Sequence, residues 1–455
     1  MPDSEDIKYE FRVVSSVKLL TVSDTVMTIA DVKAIIQAEV AGRDVLFEHS
    51  PANFKLLSKY FGTFQAVLSG NGQEKYLIPE LGTVHFLYRG QNKEIVPCLP
   101  TLYRGEPDDV AVFEHRLRLT VFKRLLATHP VVDKFFNRHH FVVHQEGLAQ
   151  HYGLKTEILD LTSNLDVALF FAVCKYNPND DTYDYYRDGE HTGVLYVFDP
   201  IYDNEPCPGG FDKYLSGNIR PIGLQAFPRP GAQCGYGLRI SKGESTKSWM
   251  FEFKFTAEES KLYYDWFGKG DTLWIKDRLV SKTNEISRMT EFSYDVFNET
   301  FRTFRPSGWS GTRMKKALRS VHLKTNVPDY AFTKVELSEI TEEWNDHLGR
   351  EMASKILRKP WFKFDGKEKD EDGQDKIVGI RNRMDFNTIQ HMGESIMPLF
   401  VGSPAKFEGA VWKNYTGKPC SSSHFKSDNT WHKIDASMTN FFGQSYLTEA
   451  DWRIV

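Results

Sequence analysis

The chain has 455 residues, 41% of them hydrophobic and 26% charged, enough for two or three ordinary domains and too apolar for wholesale disorder. Its formal net charge of -4 supplies no global attraction to nucleic acid or to an anionic membrane. The five cysteines, Cys98, Cys174, Cys207, Cys234 and Cys420, make no C-x-x-C pair and no even framework, which excludes a disulfide scaffold and a cysteine-based zinc site and suits a reducing cytosol.

The opening "MPDSEDIKYEFR" is acidic and lacks an apolar core, so it does not read as a signal peptide. Helical spacing follows in "ADVKAIIQAEV" (30–40) and "ANFKLLSKYF" (52–61), with a loop by composition in "LSGNGQ" (68–73). Residues 1–75 are therefore expected to form a small helical or mixed N-terminal subdomain. From residue 76 to 256 the texture is mixed. "VHFLYRG" (84–90) and "GVLYVFD" (193–199) read as short strands, and helical stretches fall around 111–126 and 165–176. "SWMFEFKF" (248–255) is a clear strand, because Trp249, Phe251, Phe253 and Phe255 alternate with Met250, Glu252 and Lys254. The expected class is α+β.

Residues 257–455 are expected to be helix-rich. The best signal runs over 334–357, where Leu337, Ile340, Trp344, Leu348 and Ile356 keep helical spacing, Thr333 and Glu336 suggest a capping box, and Pro360 ends the run. "DGKEKDEDGQDK" (365–376) reads as a mixed-charge surface loop or linker. The longest apolar run, "VALFFAV" (167–173), is too short to span a bilayer, and a cytoplasmic protein without a membrane partner is expected.

The densest stretch is "GLAQHYGLKTEILDLTSNLDVALFFAV" (147–173). Gly153 reads as the stop of a short helix ending in His151-Tyr152. "EILDLTS" alternates, so Asp160 and Thr162 share one face of a strand. Ser163 or Asn164 then caps a new helix, with Asp166 in its first turn. Such a corner suits a phosphate or amide group of a ligand; the alternative is that Ser163 only caps the helix and Asp160 only braces the corner. The histidines His139, His140, His144 and His151 have helix-compatible spacing, but no cysteine or carboxylate motif completes a set, and no metal is expected. "RMKKALRSVHLK" (313–324) carries Arg313, Lys315, Lys316, Arg319 and Lys324. On a helix, Lys315 and Lys316 each share a face with Arg319 that suits phosphates, although such runs are more often solvated faces.

These residues resemble the signature of the FRG-domain family, an F/Y-R-G opening followed by A-Q-H-Y-G-L-x-T-x-L-L-D-x-T-S-x-x-x-x-A-L-x-F-A. The second part appears as Ala149-Gln150-His151-Tyr152-Gly153-Leu154, Thr156, Leu159-Asp160, Thr162-Ser163, Ala168-Leu169 and Phe171-Ala172. Ile158 stands where leucine is usual and Leu161 where tryptophan is frequent. The tripeptide Tyr-Arg-Gly occurs twice. Tyr88-Arg89-Gly90, with Gln91 behind it, fits the opening motif, whereas Arg104 in "PTLYR" (100–104) fits a separate downstream arginine. Glu114 matches an acidic position on the following helix. "RPGAQCGYGL" (229–238) is similar to a closing R-x-x-x-Q-x-G-x-F, supplying Arg229, Gln233 and Gly235, with Gly237 in place of phenylalanine. The resemblance spans about 84–256.

The order of these motifs is similar to that of the ADP-ribosyltransferase fold, a mixed β core with helices, and implies an enzyme using NAD as substrate. Arg89 would grip a diphosphate through its planar fork, and Thr162 and Ser163 would hold a ribose or carboxamide. Gln233 would bind a ribose hydroxyl but, as a neutral amide, cannot be a general base. Glu252, on the polar face of its strand, and Glu244 are the acidic alternatives. Tyr88, Gly90, Gln91, Arg104, His151, Tyr152 and Asp160 complete the expected binding set. The implied role is modification of RNA, DNA or protein by a toxin or anti-phage effector, with an antitoxin or regulator as natural partner. The competing expectation is a non-catalytic nucleotide- or ligand-binding module whose C-terminal part engages a partner. Two local ambiguities stay open: Arg89 as a tie to a carboxylate such as Asp160, and His151 as base, substrate contact or helix-end histidine.

Overall fold

The computed structural model describes residues 9–14, 17–22, 27–43, 64–69, 71, 73–79, 86–93, 98–200, 215, 217–244, 246, 248–357 and 452–454, with short strand segments between 363 and 434. The segment 52–61 lies outside the described residues.

Strands β1 (Tyr9–Val14) and β2 (Val17–Val22) pair antiparallel and precede helix α1 (Ile29–Arg43). Strands β3 (Phe64–Leu68) and β4 (Lys75–Ile78) form a hairpin across the glycine-rich loop. There Asn71 Oδ1 accepts from the Ser69 hydroxyl at 2.6 Å and from the Gln73 N–H at 2.8 Å, the local bonding that makes asparagine a turn former. Next come β5 (Leu87–Gln91), α2 (Asp109–Ala127), α3 (Gln145–His151), β6 (Ile158–Thr162) and α4 (Leu165–Val173). The helix expected over 165–176 ends at Val173, because Cys174–Asn177 (β7) pairs with Thr182–Tyr185 (β8). Then follow β9 (Glu190–Phe198), β10 (Ile219–Pro221), α5 (Pro228–Ala232), β11 (Gly235–Arg239) and β12 (Ser248–Thr256).

Eight of these strands make one sheet in the order β1-β2-β12-β9-β5-β6-β11-β10. β2 runs parallel to β12, and the other neighbours are antiparallel. The alternation read in β12 sorts its two faces. Phe251, Phe253 and Phe255 pack with Tyr88, Leu195 and Val197 beneath α4, whose Ala168, Leu169, Phe170 and Ala172 are wholly buried. On the other side Met250 joins Leu87, Leu159, Leu161, Tyr196, Phe198 and Tyr236. Met250 is thus buried although it alternates with the phenylalanines, because both faces of the sheet are covered. Burying each of these large side chains stabilises by roughly 2 kcal/mol, and the sheet is held from both sides.

Beyond the sheet lie α6 (Ala257–Trp266), α7 (Arg278–Arg288), β13 (Glu291–Ser293), α8 (Tyr294–Phe304), α9 (Gly311–Ala317), β14 (His322–Lys324) and α10 (Lys334–Glu343). Thr333 and Glu336 do form the capping box. The long helix expected over 334–357 is interrupted by a π-helical turn at Trp344–Leu348, resumes as α11 (Gly349–Lys355), and gives way to β15 (Ile356–Leu357). Its end is set by pairing of Ile356 with Phe64. Helices therefore predominate over 257–355, whereas the described segments from 356 to 434 are strands. Two of these, Lys367–Lys369 and Asp375–Ile377, pair within the stretch that reads as a linker. Among the described residues no helix is long and apolar enough to cross a membrane.

Packing crosses the boundaries expected near 75 and 256. β2 hydrogen-bonds to β12, and one core joins Phe64 and Leu77 with Phe113, Leu117 and Phe122 of α2, Leu279 and Ile286 of α7, Phe297 of α8, Ile340, Trp344 and Trp452. A polar staple reinforces it. Glu114, buried on α2, accepts from the backbone N–H groups of Arg319 at 2.6 Å and Ser320 at 2.9 Å, and from the Ser320 hydroxyl. Glu114 is thereby a tether. Glu114→Gln would turn one acceptor oxygen into a donor facing donors, so a loss of about 2 kcal/mol is expected. Urea unfolding would show it as a lower midpoint at unchanged slope.

Candidate functional site

The site is built where β5, α3, β6 and α4 meet. His144 starts α3, its Nδ1 accepting from the Gly147 N–H at 3.0 Å, and Gly153 ends it at φ +89°, where glycine carries no strain. After β6 the Thr162 hydroxyl accepts from the Asn164 N–H at 3.0 Å, and Asn164 Oδ1 accepts from the N–H groups of Asp166 and Val167 at 2.9 and 3.2 Å. Asn164, not Ser163, is therefore the cap of α4, and the Thr162 hydroxyl shapes the corner. Ser163 sits half-buried, its N–H donating to the Cys234 carbonyl at 3.2 Å.

On β5, Tyr88 lies buried under α4, and a Cβ on Gly90 would stand 1.7 Å from the Ala168 carbonyl oxygen. Glycine is thus dictated by the closeness of two backbones. By strand alternation Arg89 and Gln91 point to the opposite face, Arg89 beside Tyr196 of β9. β5 and β6 share the register pair Tyr88↔Thr162 and then part. Arg89 Nη1 bridges the parting to the Asp160 carbonyl oxygen at 2.8 Å. The arginine does tie the two strands, but through backbone rather than carboxylate. Arg89 Nε, Gln91 Oε1 and Arg104 Nη2 are buried with no hydrogen-bond partner, while Arg104 Nε donates to the Leu99 carbonyl at 3.2 Å. Burial, and after it the charge of Arg89, pull the Arg104 guanidinium below its usual range. Nearby, the Cys98 thiol is pushed up by burial and pulled back by both arginines.

On the α3 side, His151 is 3% exposed. Its Nδ1 lies 3.0 Å from Gln233 Oε1, and Gln233 Nε2 donates to the Leu273 carbonyl at 2.9 Å. His151 Nε2 is 3.7 Å from Asp160 Oδ1, and neither atom has a hydrogen-bond partner. A side chain at Gly235 would put its Cβ 3.1 Å from Nε2, so that glycine makes room for the ring. Burial lowers the His151 pKa, opposed by Asp160 and Gln233. The Tyr152 hydroxyl donates to Asp277, and burial raises it far above its ordinary range.

Sequence reasoning named Arg229 in the closing motif but missed the residues that wall it in behind this cluster. Arg229, 2% exposed, lies between the rings of Tyr152 and Trp274 at 4.8 and 4.2 Å, with Nε donating to the Ile275 carbonyl at 2.7 Å. Trp274 in turn donates to Asp181 at 2.7 Å.

The acidic alternatives lie elsewhere. Glu252 is exposed on β12 opposite Val194, itself opposite Gln91, so it shares the Gln91 face at about 10 Å by ordinary strand spacing. Glu244 accepts from the Ser241 N–H at 2.8 Å within an exposed turn. The histidines do not converge: His139 packs on Phe135 and Phe141, His140 takes φ +56° in a turn, and His144 caps α3. No group of three metal-ligating side chains occurs among the described residues. The basic run is not one helical face, because α9 stops at Ala317. Arg319 pairs with Asp108 at 2.6 Å, Lys324 with Glu291, and Arg313 stacks on Trp309 at 4.4 Å. A groove of about 660 Å³ lies outside β7 and β8, lined by Lys175, Tyr176, Asp180, Asp184, Arg187 and Lys269, and contains none of the expected site residues.

The fold is α+β, and its site gathers an arginine pair at a central strand and a histidine–aspartate pair on the other side of the parting. Residues 84–181 match the family model of the FRG domain, so the chain carries an FRG domain over that segment. The match takes in Arg89, Arg104, His151, Asp160, Thr162 and Ser163, and ends before Arg229 and Gln233. No curated protein and no solved structure matches the chain.

Proposed function

We propose that the FRG domain is an ADP-ribosyltransferase-like unit that takes NAD as substrate, holds its diphosphate with Arg89 and Arg104, and modifies a macromolecule. One observation carries the reading: two neighbouring guanidiniums, Arg89 on the central strand and Arg104 beside it, each with a buried N–H that has no partner. Such donors are costly to bury unless an anion answers them, and the fork of arginine matches a phosphate's oxygens. Gln91 Oε1, equally orphaned, suits a ribose hydroxyl. When bound, NAD supplies the nicotinamide–ribose bond whose cleavage drives transfer.

Labelled NAD with purified protein and cell extract tests this. Arg89→Ala and Arg104→Ala are each expected to weaken NAD binding by roughly 10- to 100-fold, Arg89→Ala the more, with label transfer falling in step. Unchanged transfer in Arg89→Ala overturns the reading. A second reading is a binding module without turnover, favoured by Gln233, whose amide is engaged at both ends. Tight NAD binding without nicotinamide release would select it. Equal growth of cells producing wild type or Arg89→Ala would remove the toxin role, and with it the need for an antitoxin.

A further inference from the structure

A transferase needs a group to take the acceptor's proton, and neither glutamate stands at the parting of β5 and β6. Asp160 does. Its carbonyl oxygen is held by Arg89 at 2.8 Å, so the residue is fixed to the arginine assigned to the diphosphate. Its side chain keeps 27% exposure although Oδ1 is buried, so the accessible surface belongs to the rest of the group.

The bonding around His151 defines the partner. Gln233 Nε2 is committed to the Leu273 carbonyl, so its Oε1 faces the ring and accepts from Nδ1, which therefore carries hydrogen. That leaves Nε2 as the ring position that gains or loses a proton. It points at Asp160 Oδ1 across 3.7 Å, and each atom lacks any other partner. A proton on Nε2 would lie between the two, whereas without it a lone pair faces a carboxyl oxygen. The other charged groups acting on His151 are Arg229, Arg89 and His144.

We propose that Asp160 is the acid–base group of this domain and that His151, locked by Gln233, is its positioning residue. The inference rests on the transferase reading. As an acceptor's hydroxyl or amine forms its bond to the anomeric carbon of the ribose, its proton passes to Asp160. The bond from that carbon to nicotinamide breaks, its electron pair going to the ring nitrogen and cancelling the pyridinium charge. His151 Nε2 can then take the proton from Asp160 and restore the carboxylate.

Nicotinamide release by the full chain tests the assignment. Asp160→Asn is expected to lower kcat by about 100-fold or more, in the range general acid–base catalysis supplies, while KM for NAD moves only a few-fold. His151→Gln should cost less and displace the acid limb of the pH–rate profile. An Asp160→Asn chain within twofold of wild type, with the same pH profile, overturns the inference and leaves the transferase reading standing. A wild type that releases no nicotinamide overturns both. The His151 Cε1–H resonance, followed against pH, needs no turnover: its midpoint should fall in Asp160→Asn, where the favouring carboxylate is gone, and an unchanged midpoint overturns the pairing.

Discussion

Gly90→Ala is expected to abolish the native fold, whereas Gly105→Ala in the second Tyr-Arg-Gly should fold almost normally. At position 90 the new methyl would stand 1.7 Å from the Ala168 oxygen and 2.9 Å from the Ala172 nitrogen. Both belong to the backbone of α4, a helix buried on several sides, so no side chain can swing away. Inserting one methylene into a good core costs about 1–3 kcal/mol, and a collision with backbone exceeds that, a large share of the ~5–15 kcal/mol that stabilises a domain. At Gly105 the methyl meets nothing within 4 Å, and the cost is that of a left-handed φ of +77°, about 1 kcal/mol. Circular dichroism and thermal melting of the two variants would separate them. Similar melting temperatures would contradict the β5–α4 contact.

The second large effect is acid sensitivity. Burial pushes His129 down to about 3 and His115 and His144 to about 4, from an ordinary value of 6.5. The folded chain therefore binds fewer protons than the unfolded one below pH 6.5, and stability present above that pH is lost as pH falls toward the folded values. Each group should cost about 2 kcal/mol at pH 5 relative to pH 7.5. His129 is the clearest case: it is 4% exposed, set between Phe227 and Phe332 at 4.7 and 5.3 Å, with Arg278 disfavouring its charged form. Urea midpoints should drop sharply between pH 7.5 and 5, and His129→Leu should remove its share of the drop. Equal pH dependence in that variant would show that His129 does not contribute.

What was legible in the sequence was local. The phenylalanine alternation of β12, the Thr333–Glu336 box and the helix–strand–helix run from His144 to Val173 each depend on residues a few positions apart, so periodicity and capping chemistry report them. The two Tyr-Arg-Gly copies differ structurally in a way the motif context favoured, with the first facing α4. Long-range facts were not legible. Nothing in β9 announces that it lies between β12 and β5, and nothing in Asp160 tells that β5 and β6 part beside it. The wall of Trp274, Leu273 and Ile275 comes from a loop more than forty residues after Arg229. The choice between Ser163 and Asn164 as cap turned on one residue of register, which side-chain chemistry alone does not decide.

The parting of β5 and β6 also bears on what counts as a unit. Residues 84–181 contain these two sheet strands and little between them but one register pair. β9 and β11, which flank them, lie downstream of the match, and α7 and α8 cover the outer side of α2. Transplanted alone, the recognisable segment would carry its arginines and its histidine–aspartate pair into a chain with no sheet to hold them. The stretch that pattern matching sees is a signature, and heredity of the site requires inheriting its unmatched surroundings as well.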